Sequence, residues 1–521
     1  MDVNQTLQDK YQHLEVSVLK LSEVKKDNEK DRLDAEFFSK DFINAYQKVQ
    51  SMEHIYLKEC LEILTDYHAN GSYEILNENV KMQDEKDYAY MIRSTDLEKM
   101  DFENDVKYIS EYAYNFLTKT KVFGGEVLIN KIGSPGTTYI VPNLNIPISL
   151  GMNLFMIRTN EKTLRNTFLY IFLNTKLGKL IISRKINGAV PQTIDKEAIR
   201  TLPIPIFPMP FQLEIEKLVK DSHKALESSK ALYKEAEALL YEALGLDSKN
   251  PLQSILHSNY ESLPYRSKQN ENFVNTKSNQ SPNYTIATIK ESFLKTGRLD
   301  AEYYQSKYED IETKIHNFPT IKLKDLVQYP ITSGATPKAG GSDYTDSKNG
   351  IPFLRAVDLK NARVDIANLL YIKPETHEKS LKRTKLMKGD ILFSIAGVIG
   401  RCAIFDYAFE ANINQALAIL RFTESKKIKR LYLIAFFNSQ FGQMYLERYS
   451  RQGLQTNLNL DEVGNLEIPI IDSTTQESIA KHLQKSFELR AEAKKLLESA
   501  KAEVESALNN ANNGGGGVKP S

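Results

Sequence analysis

The sequence predicts an α+β fold that is duplicated in tandem, with two globular domains and a long helix after each. Two observations predict it. The octet DRLDAEFF at residues 31–38 returns as GRLDAEYY at residues 297–304, and two long stretches without Gly or Pro occupy residues 211–244 and 475–508. A fixed spacing between different signals in one order indicates duplication of a whole structural unit.

Further stretches repeat in the same order after each octet. The offset is nearly constant, because 297 minus 31 is 266 and 466 minus 202 is 264. The chain therefore consists of two copies of one unit. The matching pairs are YMIRSTDLEK (90–99) with PFLRAVDLKN (352–361), GGEVLINKIGSPG (124–136) with KGDILFSIAGVIG (388–400), FLNTKLGK (172–179) with FFNSQFGQ (436–443), and LPIPI (202–206) with LEIPI (466–470).

Each unit combines strand and helix signals. EVLINKIG and DILFSIAG alternate apolar residues and end in glycine, which predicts a strand followed by a tight turn. Apolar helical segments follow, and the closing segments PIPIFP and EIPIID are Pro-bounded strands. Each copy is therefore an α+β globular domain.

The two long stretches are rich in Ala, Leu, Glu and Lys, which are strong helix formers. Their apolar and small residues recur at alternating steps of four and three, the spacing of a coiled coil. At 1.5 Å per residue, each helix is about 50 Å long. Packing of the two helices on each other within one chain is the most economical arrangement. Two independent solvated helices or a homodimeric coil are the alternatives.

Seven segments follow from these patterns. They are an N-terminal extension (1–30), a first globular domain (31–208), a central long helix (209–246), a polar linker (247–284), a second globular domain (285–472), a C-terminal long helix (473–510) and a flexible tail (511–521).

Composition narrows the class of protein. The net charge is +1, so a nucleic-acid surface would need local clustering of basic residues. Cys60 and Cys402 are the only cysteines, which gives neither a disulfide framework nor metal-ligand spacing. The N-terminus is polar and the longest apolar run is short, so we expect a cytoplasmic protein with no membrane span.

No catalytic motif is present in the sequence. It has no GxxxxGK[ST], GxGxxG, HExxH or GxSxG pattern, and no Asn-Pro-Pro-aromatic tetrapeptide of adenine methyltransferases. In a chain of this length, that favours a binding or scaffolding role without catalysis.

The duplicated domain, the long helix after each copy and the RLDAEYY octet resemble the specificity (S) subunit of type I restriction–modification enzymes. The second half is closest, through SGATPKAGGSDYTDSKNGIPFLRAVDL (333–359) and KGDILFSIAGVIGR (388–401). The first half departs from this pattern, because TDYHANGSYE (65–74) lacks the Gly-x-Thr-Pro element. The contacts of the first domain are therefore less well defined by the resemblance.

The resemblance implies that each globular domain is a target recognition domain that reads one half of a bipartite DNA target. It also implies that the long helices pack antiparallel and dock two methyltransferase (M) subunits, with restriction/translocase (R) subunits joining the complex. S-adenosylmethionine would belong to the methyltransferase, and this chain would need no cofactor or metal. The alternatives are the S subunit of a type IIB-like enzyme and a coiled-coil scaffold that binds protein only.

Loop residues are the candidates for DNA contact, because Arg pairs with guanine edges and Asn or Gln with adenine. Plain structural turns with solvated side chains are the alternative. In the second copy the candidates are Ser333, Thr336, Lys338, Arg401, Arg451, Gln452, Gln455, Thr456 and Asn457. In the first copy they are Lys131, Thr137, Thr138, Arg184, Lys185, Asn187, Gln192 and Thr193.

Other charged groups have structural explanations. We expect the octet residues Arg32, Asp34, Arg298 and Asp300 to anchor each domain to the helix pair, with the octet aromatics packed inward. Arg93 with Asp96, and Arg355 with Asp358, are either internal ion pairs or functional groups. The basic run KSLKRTKLMK (379–388) either holds DNA phosphates or is simply solvated.

Overall fold

The computed structural model describes residues 7, 9–12, 16, 18–28, 30–100, 102, 105–188, 190–253, 288–290, 292–338, 341–422, 427–450 and 456–513. Most of the linker predicted at residues 247–284, and the last residues of the tail predicted at 511–521, lie outside these ranges. The chain forms two compact units. The first contains residues 1–227 and 490–521, and the second contains residues 228–489.

The first unit contains eight described helices of its own, the beginning of one long helix and residues 490–513 of the other, which spans Ser473–Asn513. They are α1 (Leu21–Lys25), α2 (Lys40–Gln50), α3 (Tyr73–Asn79), α4 (Ser94–Lys99), α5 (Glu111–Phe116), α6 (Asn166–Asn174), α7 (Lys176–Arg184), α8 (Lys196–Arg200) and residues 209–227 of α9 (Met209–Ala243). Short 3-10 helices span Leu57–Glu59, Tyr67–Asn70 and Thr118–Thr120. The strands are β1 (His54–Tyr56), β2 (Leu61–Asp66), β3 (Ala89–Ile92), β4 (Tyr108–Ile109), β5 (Lys121–Val122), β6 (Val127–Asn130), β7 (Thr138–Ile140), β8 (Ile148–Leu150), β9 (Leu154–Thr159) and β10 (Pro203–Pro205).

The second unit repeats this pattern. Its helices are the end of α9, then α10 (Phe293–Thr296), α11 (Ser306–His316), α12 (Pro374–Glu378), α13 (Arg430–Asn438), α14 (Gln440–Tyr449), α15 (Leu460–Asn465) and residues 473–489 of α16 (Ser473–Asn513). Its 3-10 helices span Ala301–Tyr304, Leu323–Leu326, Ala356–Asp358 and Lys382–Thr384. The strands are β11 (Thr320–Lys322), β12 (Thr332–Ser333), β13 (Ile351–Leu354), β14 (Leu359–Lys360), β15 (Arg363–Val364), β16 (Leu370–Ile372), β17 (Ile391–Ser394), β18 (Cys402–Ile404), β19 (Asn412–Ile413), β20 (Leu417–Leu420) and β21 (Glu467–Pro469).

Sheet topology confirms the duplication. In the first unit, β6 pairs antiparallel with both β7 and β9, and β3 pairs parallel with β8. In the second unit, β17 pairs antiparallel with both β18 and β20, and β13 pairs parallel with β19. A two-stranded pair closes each copy, β1 with β10 and β11 with β21. The fold is therefore α+β, as the sequence predicts.

The central strand of each copy is buried on both faces. Val127 and Ile129 of β6 belong to the cluster that packs against α6, whereas Leu128 belongs to a separate cluster on the opposite face. Ile391 and Leu392 of β17 divide in the same way. Successive side chains of a strand point to opposite faces, so the apolar run serves two cores at once.

The repeated FLNTKLGK and FFNSQFGQ segments form a sharp corner between two helices. Thr175 caps α7 by accepting a hydrogen bond from Gly178 N at 3.0 Å, and Ser439 caps α14 through Gly442 N at 3.0 Å. A Cβ atom on Gly178 would lie 2.0 Å from the carbonyl oxygen of Phe172. Only glycine therefore allows the second helix to pass so close to the first.

The two long helices pair antiparallel within the chain. In the first unit, Ser222 Oγ donates to the carbonyl of Ala493 at 2.7 Å. In the second unit, Ser229 Oγ donates to Ser486 O at 2.8 Å, and Ser486 Oγ donates to Ser229 O at 2.7 Å. From Ser222 to Ser229 the first helix advances by seven residues, while its contact on the second helix moves back by seven, from Ala493 to Ser486. This opposite direction confirms the antiparallel intramolecular pair. Independent solvated helices are thereby excluded. Among the described helices, none is both long and apolar enough to cross a membrane.

A buried glutamine in the first turn of each long helix joins that helix to the adjacent domain. Gln212 Oε1 accepts from Arg165 N at 2.9 Å, and its Nε2 donates to carbonyls at Thr163 (3.2 Å) and Phe207 (2.9 Å). Arg165 adds an ion pair with the buried carboxylate of Glu216. That interaction holds the pKa of Glu216 below its ordinary value.

Gln476 makes the same joint in the second unit. Its Oε1 accepts from Lys429 N at 2.9 Å, and its Nε2 donates to the carbonyls of Lys427 (2.8 Å) and Ile471 (3.0 Å). Both glutamines are 1% exposed, so every hydrogen bond of the amide is made inside the protein.

Gln476→Leu tests the joint. Leucine fills a similar volume but removes the side-chain partner of Lys429 N and of the carbonyls of Lys427 and buried Ile471, so we expect a loss of about 3 kcal/mol in the free energy of unfolding. Denaturant unfolding of the full chain measures it. Gln484→Leu, an exposed position on the same helix, is the control and should change stability by no more than about 0.5 kcal/mol. Equal unfolding midpoints for the two variants would contradict the role of the joint.

Candidate nucleic-acid interface

Four segments of the second unit converge at one edge of its sheet. The segment after β12 approaches the segment between β19 and β20, where Gly334 N donates to Leu417 O at 3.2 Å. The turn after β17 contacts two further segments. Ile395 N donates to Ala416 O, between β19 and β20, at 2.9 Å, and Gly397 N donates to Thr456 O, before α15, at 3.2 Å. Three of these segments carry the DNA contacts predicted from the sequence, and the structure brings them together.

The side chains at this edge are mostly available to a partner. Thr336, Lys338, Arg401 and Asn457 are exposed, and Ser333 and Thr456 are partly exposed. The remaining predicted contacts, Arg451, Gln452 and Gln455, lie outside the described residues.

Gln415 was missed by the sequence analysis. Its side chain is exposed, and its backbone N–H donates to Thr336 Oγ1 at 3.4 Å, so it lies among the predicted contacts. The sequence around it, ANINQALAIL, contains two asparagines and a glutamine immediately before a buried strand. Polar amides at the end of a strand were the signal that could have identified it.

The first unit builds the same edge from equivalent segments. Lys131 N donates to Asn153 O at 2.8 Å, and Asn187 and Thr193 exchange backbone hydrogen bonds at 2.8 Å. Ile132 forms a β-bridge with Thr193, and in the second unit Ala396 forms the same bridge with Asn457. Both members of the bridge are shifted by 264 residues, from 132 to 396 and from 193 to 457. The two edges are therefore structural copies.

The polar groups of the first edge are more fully engaged. Thr137 and Gln192 are exposed, whereas Thr193 is partly buried and Asn187 Oδ1 accepts from Arg32 at 2.8 Å. Lys131 Nζ binds Asp66 at 2.6 Å, and Lys196 binds the same carboxylate at 2.7 Å. Burial raises the pKa of Asp66, but the hydrogen bonds from Lys131 and Lys196 lower the pKa by more than burial raises it, so the net shift is downward. The carboxylate therefore stays ionised and holds both lysines in place.

Apolar side chains occupy much of the exposed surface of the first edge. Ile132 is 40% exposed, Met152 is 42% exposed, and Val190, between the paired residues Asn187 and Thr193, is 94% exposed. The second edge exposes two amides, Gln415 and Asn457, and two cations, Lys338 and Arg401, beside one half-exposed apolar side chain, Val398. The two copies therefore share a backbone arrangement but differ in surface chemistry.

Three predicted contacts in the first copy are corrected by their burial. Arg184 is 5% exposed, and its guanidinium stacks on the rings of Phe37 and Tyr46, each 4.3 Å away. Lys185 is 3% exposed, and its Nζ donates to Asp27 O at 3.3 Å. Thr138 is also buried, and its hydroxyl donates to Gly136 O at 3.0 Å. These side chains stabilise the domain and have no surface with which to contact DNA.

The octet has a structural role, but its partner differs from the predicted one. Arg32 binds Asp34 through Nε and Nη2 at 2.7 and 2.8 Å, and its Nη1 donates to the carbonyl of Ile186 at 2.8 Å. The hydrogen bond from Arg32 holds the pKa of Asp34 below its ordinary value. The octet thus caps the C-terminal end of α7, a favourable place for a cation. The predicted attachment to the long-helix pair is corrected to this short helix.

The second octet repeats the arrangement. Arg298 binds Asp300, and its two terminal nitrogens donate to the carbonyls of Tyr449 and Ser450 at the end of α14. Arg298 and Arg448 each lie 4.6 Å from the ring of Tyr303, which matches Arg32 and Arg184 around Phe37 in the first copy. Phe37 and Tyr303 are buried, which confirms the inward packing of the first ring of each octet, whereas Phe38 and Tyr304 are only partly buried.

The Arg-Asp pairs on the other repeated strand are internal ion pairs. Arg93 Nη2 binds the buried carboxylate of Asp96 at 2.8 Å, and Arg355 Nη2 binds Asp358 at 3.0 Å. In both cases the carboxylate also accepts the backbone N–H of the arginine, at 2.9 and 2.8 Å. The structural alternative left open by the sequence is the one observed.

One trio among the described residues has the composition of a metal site, namely His377, Glu378 and Glu410. The Oδ1 atom of Asn412 accepts from Thr384 Oγ1 and Ile413 N, which fixes its amide and directs Nδ2 at His377 Nδ1, 3.2 Å away. Nδ1 therefore accepts, and Nε2 carries the proton of the neutral ring. That tautomer offers no free lone pair to a cation, so the trio gives no support to a metal site.

Comparison with known proteins gives a family. Residues 50–238 and 316–501 match the family model described as "Type I restriction modification DNA specificity domain". A curated relative, the type I restriction enzyme EcoBI specificity subunit of Escherichia coli, is 30% identical over 218 residues. That match covers 40% of this chain and 44% of the relative, so the chain spans less than half the length of this relative.

Solved structures with similarity include the S subunit of a type I restriction-modification system from M. genitalium. It has 13% identity and a TM-score of 0.36, with 84% of this chain and 94% of that chain covered. The HsdS subunit from Thermoanaerobacter tengcongensis has 13% identity and a TM-score of 0.25, with 89% and 97% covered.

Gly334→Ala tests the convergence of the second edge. A Cβ atom at this position would lie 2.0 Å from Ile413 O and 2.4 Å from Asn414 O, so the segment after β12 must move away. We expect a loss of about 3 kcal/mol in stability from overpacking, and faster amide hydrogen exchange at residues 334 and 415. Ala335→Ser, at the exposed neighbouring position, is the control. Unchanged exchange in Gly334→Ala would mean that the segments do not depend on each other.

Proposed function

The chain belongs to the type I restriction modification DNA specificity family, and from this premise we propose that it is the DNA-reading subunit of a restriction–modification complex. Its ligand is double-stranded DNA with a bipartite target, and each globular domain reads one half. The observation that carries this proposal is the edge built twice, with the bridge of Ile132 and Thr193 repeated by Ala396 and Asn457. Two equivalent edges suit two separate stretches of sequence.

The two halves of the target differ, because the exposed chemistry of the edges differs. Apolar side chains such as Ile132, Met152 and Val190 suit contact with thymine methyl groups in the major groove. Gln415 suits adenine, and Arg401 suits guanine. The proposed target is therefore asymmetric.

The chain itself catalyses nothing in this proposal. It positions two methyltransferase subunits and, through the complex, the restriction/translocase subunits. S-adenosylmethionine is held by the methyltransferase, and this chain binds no cofactor. The absence of a catalytic motif in the sequence supports this division of roles.

Methylation mapping tests the proposal. The chain is co-expressed with its methyltransferase partner in a host without other methylation, and the modified sites are sequenced. A single motif with two specified halves and an unread gap is expected, together with a sequence-specific electrophoretic shift of the complex. A purely structural coiled-coil scaffold would give neither a motif nor a specific shift, and that result would overturn the proposal.

Gln415→Ala tests the proposed reading edge of the second domain, which is the sheet edge where the segments with Thr336, Arg401, Gln415 and Asn457 converge. Loss of one bidentate amide contact should cost about 1–3 kcal/mol of discrimination at one base pair. We therefore expect one position of one half of the methylated motif to become degenerate, while the other half stays unchanged. Gln484→Ala, exposed on α16, is the control and should leave the motif intact. A change in both halves would show that the domains do not read independently.

A further inference from the structure

The basic run of residues 379–388 divides into paired and unpaired cations. Lys379 binds Glu375 at 2.6 Å, Lys385 binds Glu378, and Lys388 binds Asp406 at 3.3 Å. Lys382 and Arg383 remain, both exposed on the short 3-10 helix that spans Lys382–Thr384. Within the described part of the chain, neither forms an ion pair. Lys382 is nevertheless close to Glu378, because the pKa of that carboxyl is lowered by Lys385 and, more weakly, by Lys382. Arg383 is therefore the cation of this run that has no anionic partner among the described residues.

Arg383 lines a small surface cavity of about 30 Å³ together with Tyr329, Pro330, Thr332, Ile419 and Arg421. The floor is formed by paired strands, because Thr332 lies opposite Ile419 in the β12–β20 ladder. Arg421 stacks its guanidinium 5.8 Å from the ring of Tyr329, which is half exposed. The cavity thus presents two guanidinium groups from two different segments.

The side chain of Arg421 is held in place by two hydrogen-bond partners. Its Nε donates to Asp390 at 3.3 Å, and its Nη2 donates to Lys385 O at 2.5 Å. In the described structure these bonds leave Nη1 without a partner. Asp390 is buried and faces Arg421, whereas Arg383 has no anionic partner in the part of the chain that the structure describes. The cavity therefore carries an excess of positive charge, which suits an anion such as a phosphodiester.

The position of the cavity favours DNA backbone over other anions. Thr332 at its floor is followed by Ser333 and Thr336, which belong to the reading edge. Four residues span at most about 13 Å when the chain is extended, and the major groove is about 12 Å wide. A loop that reads base edges therefore places the cavity beside the phosphates that border the groove.

Resting on the proposed function, we propose that the cavity of Arg383, Arg421 and Tyr329 binds a backbone phosphate that flanks the half-site read by the second domain. The first domain has a counterpart of Arg421, namely Arg158, whose Nη2 donates to Lys121 O at 2.7 Å and to Glu126 at 2.8 Å. Arg421 binds the carbonyl of Lys385 and the carboxylate of Asp390 in the same way. The position that corresponds to Arg383 holds Lys119, whose Nζ donates to Ala69 O at 2.9 Å. Arg383 therefore distinguishes the second domain, and the proposed contact sets affinity and register rather than sequence choice.

The test compares Arg383→Ala, Arg383→Lys and the control Lys379→Ala in the assembled complex with the methyltransferase. Equilibrium binding is measured on cognate and random duplexes between 0.05 and about 0.3 M salt, a range over which each phosphate contact contributes roughly 0.9 to the slope of log K against log salt. For Arg383→Ala we expect the slope to shrink by about 0.9 and binding to weaken about fivefold near 0.15 M salt, equally on both duplexes. Arg383→Lys keeps the charge and should keep the slope, and Lys379→Ala should match the wild type.

The outcomes separate this inference from the proposed function. A wild-type complex without sequence-specific binding would overturn both. Specific binding by the wild type, with Arg383→Ala indistinguishable from Lys379→Ala, would overturn only the phosphate contact. A changed methylation motif in Arg383→Ala would also overturn it, because the residue would then contact a base. Melting curves matching the wild type are expected for all three variants, since the substituted side chains are exposed.

Discussion

The buried amides of Gln212 and Gln476 are the constraint on which the architecture of each unit depends. Each lies in the first turn of a long helix and satisfies backbone groups of the adjoining domain, so the helix leaves its domain in a fixed direction. Apolar packing alone would be less directional. A buried amide stabilises only the geometry in which its donors and acceptors meet their partners, because an unsatisfied buried group is costly. The long helices therefore have a defined orientation before their serine contacts with each other are considered.

The octet supplies the second constraint, and it supports the edge at which DNA contact is proposed. Arg32 fixes the carbonyl of Ile186 and the side chain of Asn187, which open the segment leading to Thr193. Arg298 holds the carbonyls of Tyr449 and Ser450 at the start of the equivalent segment. In each copy, two arginines pack against one buried ring beside these carbonyls, Arg32 and Arg184 on Phe37 and Arg298 and Arg448 on Tyr303. Residues far from the proposed DNA contact thus determine where its loops begin.

The two copies share the backbone arrangement of the edge but differ in the side chains that the edge exposes. Backbone hydrogen bonds at the edges repeat with an offset of 264 residues, whereas exposed side chains do not. In the first copy, lysines are held by Asp66, and apolar groups face solvent. In the second copy, Gln415, Lys338 and Arg401 face solvent, and Arg383 adds a cation that has no anionic partner within the described ranges. A common scaffold with different surface residues is what independent reading of two unlike sequences requires.

The sequence by itself determined the duplication, the α+β class and the long helices, because periodicity, turn residues and repeats are local signals that survive without tertiary contacts. It also located three of the four segments at the second edge. Only the tertiary structure decided which polar residues remain exposed. Arg184 and Lys185 look like surface cations in the sequence, yet contacts with Phe37, Tyr46 and Asp27 bury them. The joints at Gln212 and Gln476 depend on partners distant along the chain, and local patterns carry no record of such partners.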